Sequence, residues 1–365
     1  MTLDISCSVQ RGQFDLEVEL ELQAGAVVAV LGPNGSGKST LLRAIAGLQP
    51  ITSGMVALSG KVLDDGSAVF VRPRDRAVGV VFQDYALFPH LSVLENVAFG
   101  PRSRGCSRAE ARRIASDALD QLNVADLARR RPAEVSGGQA QRVALARALA
   151  TSPEVLLLDE PMAALDVETR DAVRAQLAAQ LAAFEGIAVL VTHDPLDALL
   201  LADRVVVLES GRVVQDGTPA DLAERPQSEY VAALMGVTLV RGTAAGTTLI
   251  IDADGGVLHL ANDLGECPAM AVIRPESVTL HRLQPEGSAR NVWQGTVRSL
   301  QPMHDRVRVL IDGRPPVIAT VTPSALAELG LHAGAPVWVS VKAVEIRGYR
   351  RANHSSPGLP HLHEG

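Results

Sequence analysis

The chain has 365 residues, enough at about 150 residues per domain for two or three domains with buried cores. Acidic side chains outnumber basic ones, 41 to 34, and the formal charge of -7 excludes a broad positive surface of the kind that holds nucleic acid. A hydrophobic fraction of 47% excludes general disorder, and an aromatic fraction of only 3% leaves a core built from Ala, Val and Leu.

From the first residue onward, Met1 to Arg11 lack a basic stretch followed by an apolar one, so no secretory signal is expected and the chain is placed in the cytoplasm. Apolar runs such as Val155 to Leu158 and Ile187 to Val191 fall far below the ~20 residues that span a bilayer. Cys7, Cys106 and Cys267 form no CxxC pair, which reads as reduced, buried thiols. The apolar run Val27 to Leu31 is followed by the Gly-rich stretch Gly32 to Gly37, and then by Leu41, Leu42, Ile45 and Leu48 at helical spacing. That order predicts strand, loop, helix. Further short runs at Val78 to Phe82, Val155 to Leu158, Ile187 to Val191 and Arg204 to Leu208 alternate with amphipathic stretches such as Ile114, Ala118, Leu119 and Leu122. Strands separated by helices predict a largely parallel sheet with helices on both faces. From about Val237 the texture changes to short β-rich runs, Thr247 to Ile251, Met270 to Ile273, Val292 to Val297, Val307 to Ile311 and Val337 to Val341, broken by Gly, Pro and Asp. An α/β domain over 1–235 is therefore expected, then a small all-β, barrel-like domain over 236–350 and a disordered tail over 351–365.

The segment Gly32-Pro33-Asn34-Gly35-Ser36-Gly37-Lys38-Ser39, followed by Thr40, fits the phosphate-loop pattern between a predicted strand and a predicted helix. Glycines let backbone N–H groups turn inward around phosphates at a helix N-terminus, Lys38 neutralises the β- and γ-phosphates, and the Ser39 hydroxyl ligates Mg²⁺. At Val155 to Leu158 an apolar strand ends in Asp159 and Glu160. Asp159 is expected to hold the metal through its water shell, and Glu160 to polarise the attacking water. Ser136-Gly137-Gly138-Gln139 is a Gly-rich turn feeding an Ala-rich helix, whose N-terminal amides and Ser136 hydroxyl make a second phosphate-facing site.

Together these motifs resemble the ATP-binding subunit of ABC transporters of the bacterial importer type. On that resemblance the fold is a P-loop ABC ATPase domain followed by an OB-like β-barrel domain. Gln83 in Val81-Phe82-Gln83-Asp84-Tyr85 matches the family's glutamine loop, with a share in the metal site. Asp166 matches its D-loop, and His193 in Val191-Thr192-His193-Asp194 its switch histidine. Val135, Ala140 and Met162-Ala163 depart from the usual residues without removing a reacting group. The family often stacks adenine on a tyrosine before the phosphate loop; here Phe14 is the only aromatic in that stretch, and a core role for it stays open. The resemblance implies ATP and Mg²⁺, a homodimer that sandwiches nucleotide between one phosphate loop and the other copy's Ser136 to Gly138, and peripheral attachment to the cytoplasmic face of the membrane. It also implies separate permease subunits contacting Gln83 to Val93, and indirect work with a substrate-binding protein outside the membrane.

Ile273-Arg274-Pro275-Glu276 resembles the entry to the accessory β-domain of such importers. Ser288-Ala289-Arg290-Asn291, Gly295, Val297 and Val341-Lys342-Ala343 are similar to molybdate-binding modules, here over about 286–348. Ser288, Arg290 and Lys342 are the candidate oxyanion ligands. Molybdate is the preferred substrate; sulfate, iron, polyamine or sugar importers are the alternative, and a soluble ABC ATPase without a transport role is the distant one.

Overall fold

The computed structural model describes residues 1–163, 167–253 and 255–351, with the side chains of 167–169 left aside. Asp166, and the expected tail apart from Arg351, lie outside the described residues. The chain divides into two compact units, Met1–Pro219 and Ala220–Gly365.

Among the described residues the first unit carries ten strands: β1 (Thr2–Arg11), β2 (Phe14–Gln23), β3 (Val27–Leu31), β4 (Ser53–Leu58), β5 (Lys61–Asp64), β6 (Val78–Val81), β7 (Val155–Asp159), β8 (Ile187–Val191), β9 (Arg204–Glu209) and β10 (Arg212–Gly217). Its helices are α1 (Lys38–Ala46), α2 (Val93–Ser103), α3 (Arg108–Gln121), α4 (Gly137–Leu149), α5 (Val167–Ala182) and α6 (Pro195–Leu201). The strands form one sheet in the order β5-β4-β1-β2-β10-β9-β3-β8-β7-β6. The run β9-β3-β8-β7-β6 is parallel, as the sequence predicts for these apolar segments. The other half corrects the expectation of a largely parallel sheet, since β1, β2, β4 and β5 pair antiparallel. β1 and β2 are alternating strands, with Leu3, Ile5, Cys7 and Val9 paired with Leu22, Leu20, Val18 and Leu16 side by side on one buried face of the sheet. Their period of two, unlike the continuous apolar runs, marks strands with one face in the core and one in water.

Two apolar clusters form on the two faces of the parallel strands. Ala188, Leu190, Leu156 and Leu158 pack with residues of α2, α3, α4 and α5. Val28, Val30, Val155, Leu157 and Val189 pack with α1 and the antiparallel strands. All three cysteines are free; Cys7 is buried, its thiol pushed up to about 11 by burial and by the nearby Asp64 carboxylate. Cys106 and Cys267 are only half-buried, unlike the expectation for them.

The second unit takes in α7 (Pro219–Glu224, which begins at the junction), α8 (Glu229–Met235) and α9 (Pro323–Leu329). Its division from the first falls ahead of the expected break at 235, because Ala232 of α8 packs with Leu239, Met270, Val272 and Tyr349 of the β-rich part. Strands β11 (Thr238–Ala245), β12 (Thr248–Ile251), β13 (Val257–His259), β14 (Glu266–Ile273) and β20 (Arg347–Arg350) make one antiparallel sheet. Strands β15 (Thr279–His281), β16 (Asn291–Pro302), β17 (Val307–Asp312), β18 (Val317–Val321) and β19 (Pro336–Val341) make the other. Val240, Ala271 and Ile273 from one sheet and Val309, Val337 and Val339 from the other share a single core, the barrel-like arrangement expected.

One polar group ties α1 to its surroundings. Arg76 is fully buried, and its guanidinium donates to Ala44 O at 2.8 Å, Ile45 O at 2.7 Å and Leu63 O at 3.2 Å, with Asp64 Oδ2 at 3.9 Å. It helps satisfy the carbonyls at the end of α1, adding a donor to Ala44 O beside the Gly47 N–H and supplying one to Ile45 O. Arg76→Ala should strip these acceptors and leave Asp64 buried without its cation, costing about 3–5 kcal/mol. Urea unfolding of the full chain reads this directly, and a midpoint unchanged from wild type would dismiss the clamp.

Candidate active site

Four parallel neighbours, β3, β8, β7 and β6, end at one edge of the sheet. After them come the phosphate loop, His193, Glu160 and Gln83 respectively. Ligands of open α/β sheets bind outside the carboxyl ends of such strands.

The loop leaves β3 at Gly32, where φ is +152° and a Cβ would stand 2.1 Å from Leu208 O, so only glycine fits. At Gly37, φ +107°, a Cβ would meet Phe14 Cζ at 3.0 Å and Leu16 Cδ1 at 2.8 Å. The half-buried ring of Phe14 thus lies against the loop. No side chain caps α1 and no acidic residue stands in its first turn. The N–H groups of that turn and the positive end of the helix dipole are therefore left without a carboxylate from the helix itself, which suits them to an anion. Lys38 Nζ donates to Gly32 O at 2.7 Å and Pro33 O at 3.0 Å. Burial lowers its pKa, opposed by the nearby Glu160 and Asp159 charges. The Ser36 hydroxyl is buried inside the loop with no hydrogen-bond partner among the described residues. An orphaned hydroxyl, an uncapped helix and a folded-back ammonium together suit an incoming phosphate.

Asp159 ends β7, with Ser39 close enough to its carboxylate to favour the charged form. Its pKa is raised, first by burial and then by Glu160, against the pull of Arg43, Ser39 and Lys38. Among the described residues no group of three or more His, Cys, Asp or Glu side chains gathers to hold a metal. The Ser39 hydroxyl and Asp159 carboxylate are a small, hard oxygen set, the kind Mg²⁺ accepts while keeping most of its waters. Gln83 lies exposed in the turn after β6, whose Val81 pairs with Leu158 of β7.

Glu160 adopts φ +46°, a left-handed conformation uncommon for a non-glycine residue, and its N–H donates to Val191 O at 2.9 Å. Its Oε2 stands 3.2 Å from His193 Nδ1. The turn bearing His193 is braced from within. The buried Thr192 hydroxyl accepts from Asp194 N at 3.0 Å and donates to Asp197 Oδ2 at 3.2 Å, and Arg174 of α5 holds Asp197 through Nε at 2.8 Å.

The glutamine loop is braced as well. Tyr85 and Ala86 both have positive φ, and Arg147 of α4 donates to their carbonyls at 2.8 and 2.6 Å. Tyr85 Oη reaches Pro161 O at 3.4 Å, just past Glu160. Asn96 of α2, wholly buried, accepts from Phe88 N at 2.8 Å and donates to Phe88 O at 3.1 Å. Sequence reading missed Arg147, Thr192, Arg174 and Asn96, because each acts through backbone atoms or partners remote in the chain.

Ser136 is the N-cap of α4: its Oγ accepts from Gln139 N at 3.3 Å, while Gln139 Oε1 accepts from Ser136 N at 2.9 Å. The cap uses a lone pair of the hydroxyl and leaves its proton free to donate. Ser136 and Gly137 are exposed, with Gly138 and Gln139 half-exposed.

In the second unit Ser288 and Arg290 are exposed just ahead of β16, and Lys342 is exposed just after β19. Asn291 pairs with Val341, so Arg290 and Lys342 flank the same end of two paired strands. No helix among the described residues is long and apolar enough to cross a membrane.

The raised Asp159 pKa has a consequence for stability. The folded chain holds this proton more tightly than the unfolded chain, so the group's contribution is most favourable in acid and is lost as pH rises through its folded pKa. At neutral pH, ligand-free Asp159→Asn should melt above the wild type, with the gap closing as pH falls into the ordinary aspartate range. Equal melting at neutral pH, or a gap that widens in acid, would contradict the buried-carboxylate account.

Residues 16–163 match the ABC transporter family model and residues 287–347 the TOBE domain model. The chain is 44% identical to the molybdenum import ATP-binding protein ModC of Mycobacterium tuberculosis, over 91% of this chain and 93% of the relative. It is 39% identical to the spermidine/putrescine import ATP-binding protein PotA of Thermobifida fusca, over 88% and 85%. Among solved structures it is similar to the dimeric post-hydrolysis state of the ATP-binding cassette MJ0796 bound to ADP and Pi. That match has 31% identity and a TM-score of 0.52, over 60% of this chain and 99% of that one. The phosphate loop, the strand ends that surround it and these likenesses lead to one conclusion: the chain belongs to the ABC transporter family and is an ATP-using ABC ATPase with a C-terminal TOBE domain.

Proposed function

We propose that this chain is the ATP-hydrolysing subunit of a membrane importer for an oxyanion, molybdate, working as a peripheral homodimer on the cytoplasmic face. The observation that carries the catalytic part is the Glu160–His193 contact at 3.2 Å, set beside the uncapped helix that begins with Lys38. In this reading the phosphates of ATP take the N–H groups of α1's first turn and of Gly35 to Gly37. Lys38 then turns its ammonium from the Gly32 and Pro33 carbonyls to the β- and γ-phosphate oxygens. The Ser36 hydroxyl gains the partner it lacks. Ser39, Asp159 and Gln83 would hold Mg²⁺, which when bound offsets the charge on the transferred phosphoryl group. Glu160 accepts a hydrogen bond from the attacking water and draws off its proton, while His193 keeps that carboxylate oriented. Phe14, already against the loop, offers its exposed part to the adenine. A second copy supplies Ser136, Gly137, Gly138 and Gln139 to the same nucleotide, with Asp166 at the join.

Separate permease subunits would meet the glutamine loop. A cavity of about 440 Å³ beside it is lined by Phe82, Ala86, Phe88, Phe99 and Arg104, and Phe99 is largely exposed. An apolar hollow of this kind suits a short amphipathic element of a partner. A substrate-binding protein outside the membrane would act through that permease. Molybdate is supported by the molybdenum import relative and by Ser288, Arg290 and Lys342 at one end of β16 and β19. The polyamine relative at 39% identity favours a second reading, an importer for a different solute.

The function is tested by reconstituting the chain with its permease in lipid vesicles. ATPase activity should rise several-fold with a binding protein loaded with molybdate and stay basal with one loaded with spermidine; stimulation by spermidine alone would transfer the reading to a polyamine importer. Glu160→Gln should cut steady-state turnover by on the order of a hundredfold or more while ATP affinity stays within a few-fold of wild type, since the amide keeps the size but not the basicity. Wild-type turnover in that variant would remove Glu160 from the chemistry. In a Glu160→Gln background, mixing Lys38→Ala subunits with Ser136→Arg subunits should trap one ATP per heterodimer. Two per dimer, or none, would break the head-to-tail arrangement.

A further inference from the structure

The His193 side chain is 57% exposed, so packing alone does not hold its ring against Glu160, and the ring's direction depends on the backbone of the turn 192–194. That turn is tied to α5 on both sides of the histidine. Behind it, the buried Asp197 carboxylate divides its oxygens: Oδ1 accepts from Arg174 Nε at 2.8 Å and Oδ2 from the Thr192 hydroxyl at 3.2 Å. Ahead of it, Asp194 Oδ2 faces Arg174 Nη2 at 3.7 Å and Arg170 Nη1 at 3.5 Å. The Thr192 hydroxyl closes the ring by accepting from Asp194 N at 3.0 Å. Arg174, which also meets Asp171, is itself buried. Its neighbour Val173 shares a row of α5 with Leu177 and Leu181, and that row packs into the apolar cluster with Leu158 of β7 and Leu190 of β8. The arginine is thus mounted on a helix anchored to the same two strands that release Glu160 and His193.

Helix capping does not explain this arrangement. Asp194 is already the N-cap of α6, accepting from Leu196 N at 2.9 Å, and Asp197 lies past the capping position. A buried arginine–carboxylate pair carries a desolvation cost that apolar side chains of similar volume avoid, so it adds little net stability. What it fixes is geometry: the planar fork of an arginine holds two carboxylates at set angles, and the single ammonium of a lysine does not. We propose that Arg174 is a positioning residue for ATP hydrolysis, its fork holding Asp197 and Asp194 on either side of His193 and so fixing the approach of the imidazole to Glu160. The inference rests on the roles given to Glu160 and His193 above and extends them to a residue outside that pair.

Two substitutions in the full chain test this. Arg174→Lys keeps the charge and removes the fork, and Thr192→Val removes the linking hydroxyl with little change of shape. Steady-state turnover and ATP affinity are measured beside the imidazole NMR signals of protein isotope-labelled at histidine, the His193 signal being identified by its loss in His193→Gln. Each substitution should lower kcat by about tenfold or more, since a small misplacement of a reacting group is costly, while ATP affinity stays at the wild-type value. Each should also move the His193 signal and leave those of His281 and His332 in place. Arg113→Lys, which alters an exposed pair with Asp117 on α3, should match wild type in every readout. Should Arg174→Lys fail to fold, Thr192→Val carries both readouts. The proposal is overturned if either folded variant turns over ATP as wild type, if kcat falls while the His193 signal stays, if ATP affinity falls in step with kcat, or if Arg113→Lys moves the same signal. Because the ring signal needs no turnover, it tells the two readings apart: an unmoved signal fails this proposal alone, whereas wild-type turnover in Glu160→Gln fails the catalytic reading.

Discussion

The site depends on the register of four parallel strands. Val30 pairs with Val191, Val191 with Asp159, and Leu158 with Val81, so β3, β8, β7 and β6 release their chains side by side at one edge of the sheet. Because side chains alternate with a period of two, a slip of one residue in β7 would turn Leu157 out of one apolar layer and Leu158 out of the other. Both layers are buried, and this double burial holds the register.

Within that frame the catalytic turns are strained and then held. Glu160, Tyr85 and Ala86 all occupy the left-handed region, which costs on the order of 1–3 kcal/mol each. Arg147 bonds the Tyr85 and Ala86 carbonyls, Asn96 bonds the Phe88 backbone just beyond them, and the Glu160 N–H is held by Val191 O. Arg147 belongs to the helix that Ser136 caps, and its two acceptors lie in the glutamine loop. The helix that presents the Ser136 motif is therefore bonded directly to the loop expected to sense the permease. A displacement of one carries a cost in the other, which is the physical content of coupling between nucleotide and partner.

The phosphate end of the site is unsatisfied by design. Lys38 bonds its own loop, the Ser36 hydroxyl has no partner among the described residues, and Asp159 is a carboxylate that burial disfavours. Each group is less comfortable alone than it is next to a phosphate and a cation, so stability is held back for ligand binding.

The sequence by itself marked the candidate site and the parallel strands that carry it. Gly32 to Ser39, Asp159, Glu160, Ser136 to Gln139 and His193 stand out as candidates in the sequence because phosphate binding demands glycines, a lysine and a hydroxyl in consecutive positions, and continuous apolar runs mark buried parallel strands. The tertiary structure alone decided what surrounds them. That β1 and β2 join the same sheet antiparallel, that α8 packs with the β-rich unit, and that Arg147 reaches Tyr85 and Ala86 all rest on contacts between residues far apart in the chain. The same holds for Arg76, an arginine with no motif around it, which is buried only because the end of α1 needs its donors. A backbone carbonyl carries no residue identity, so a side chain that binds one leaves no pattern in the sequence.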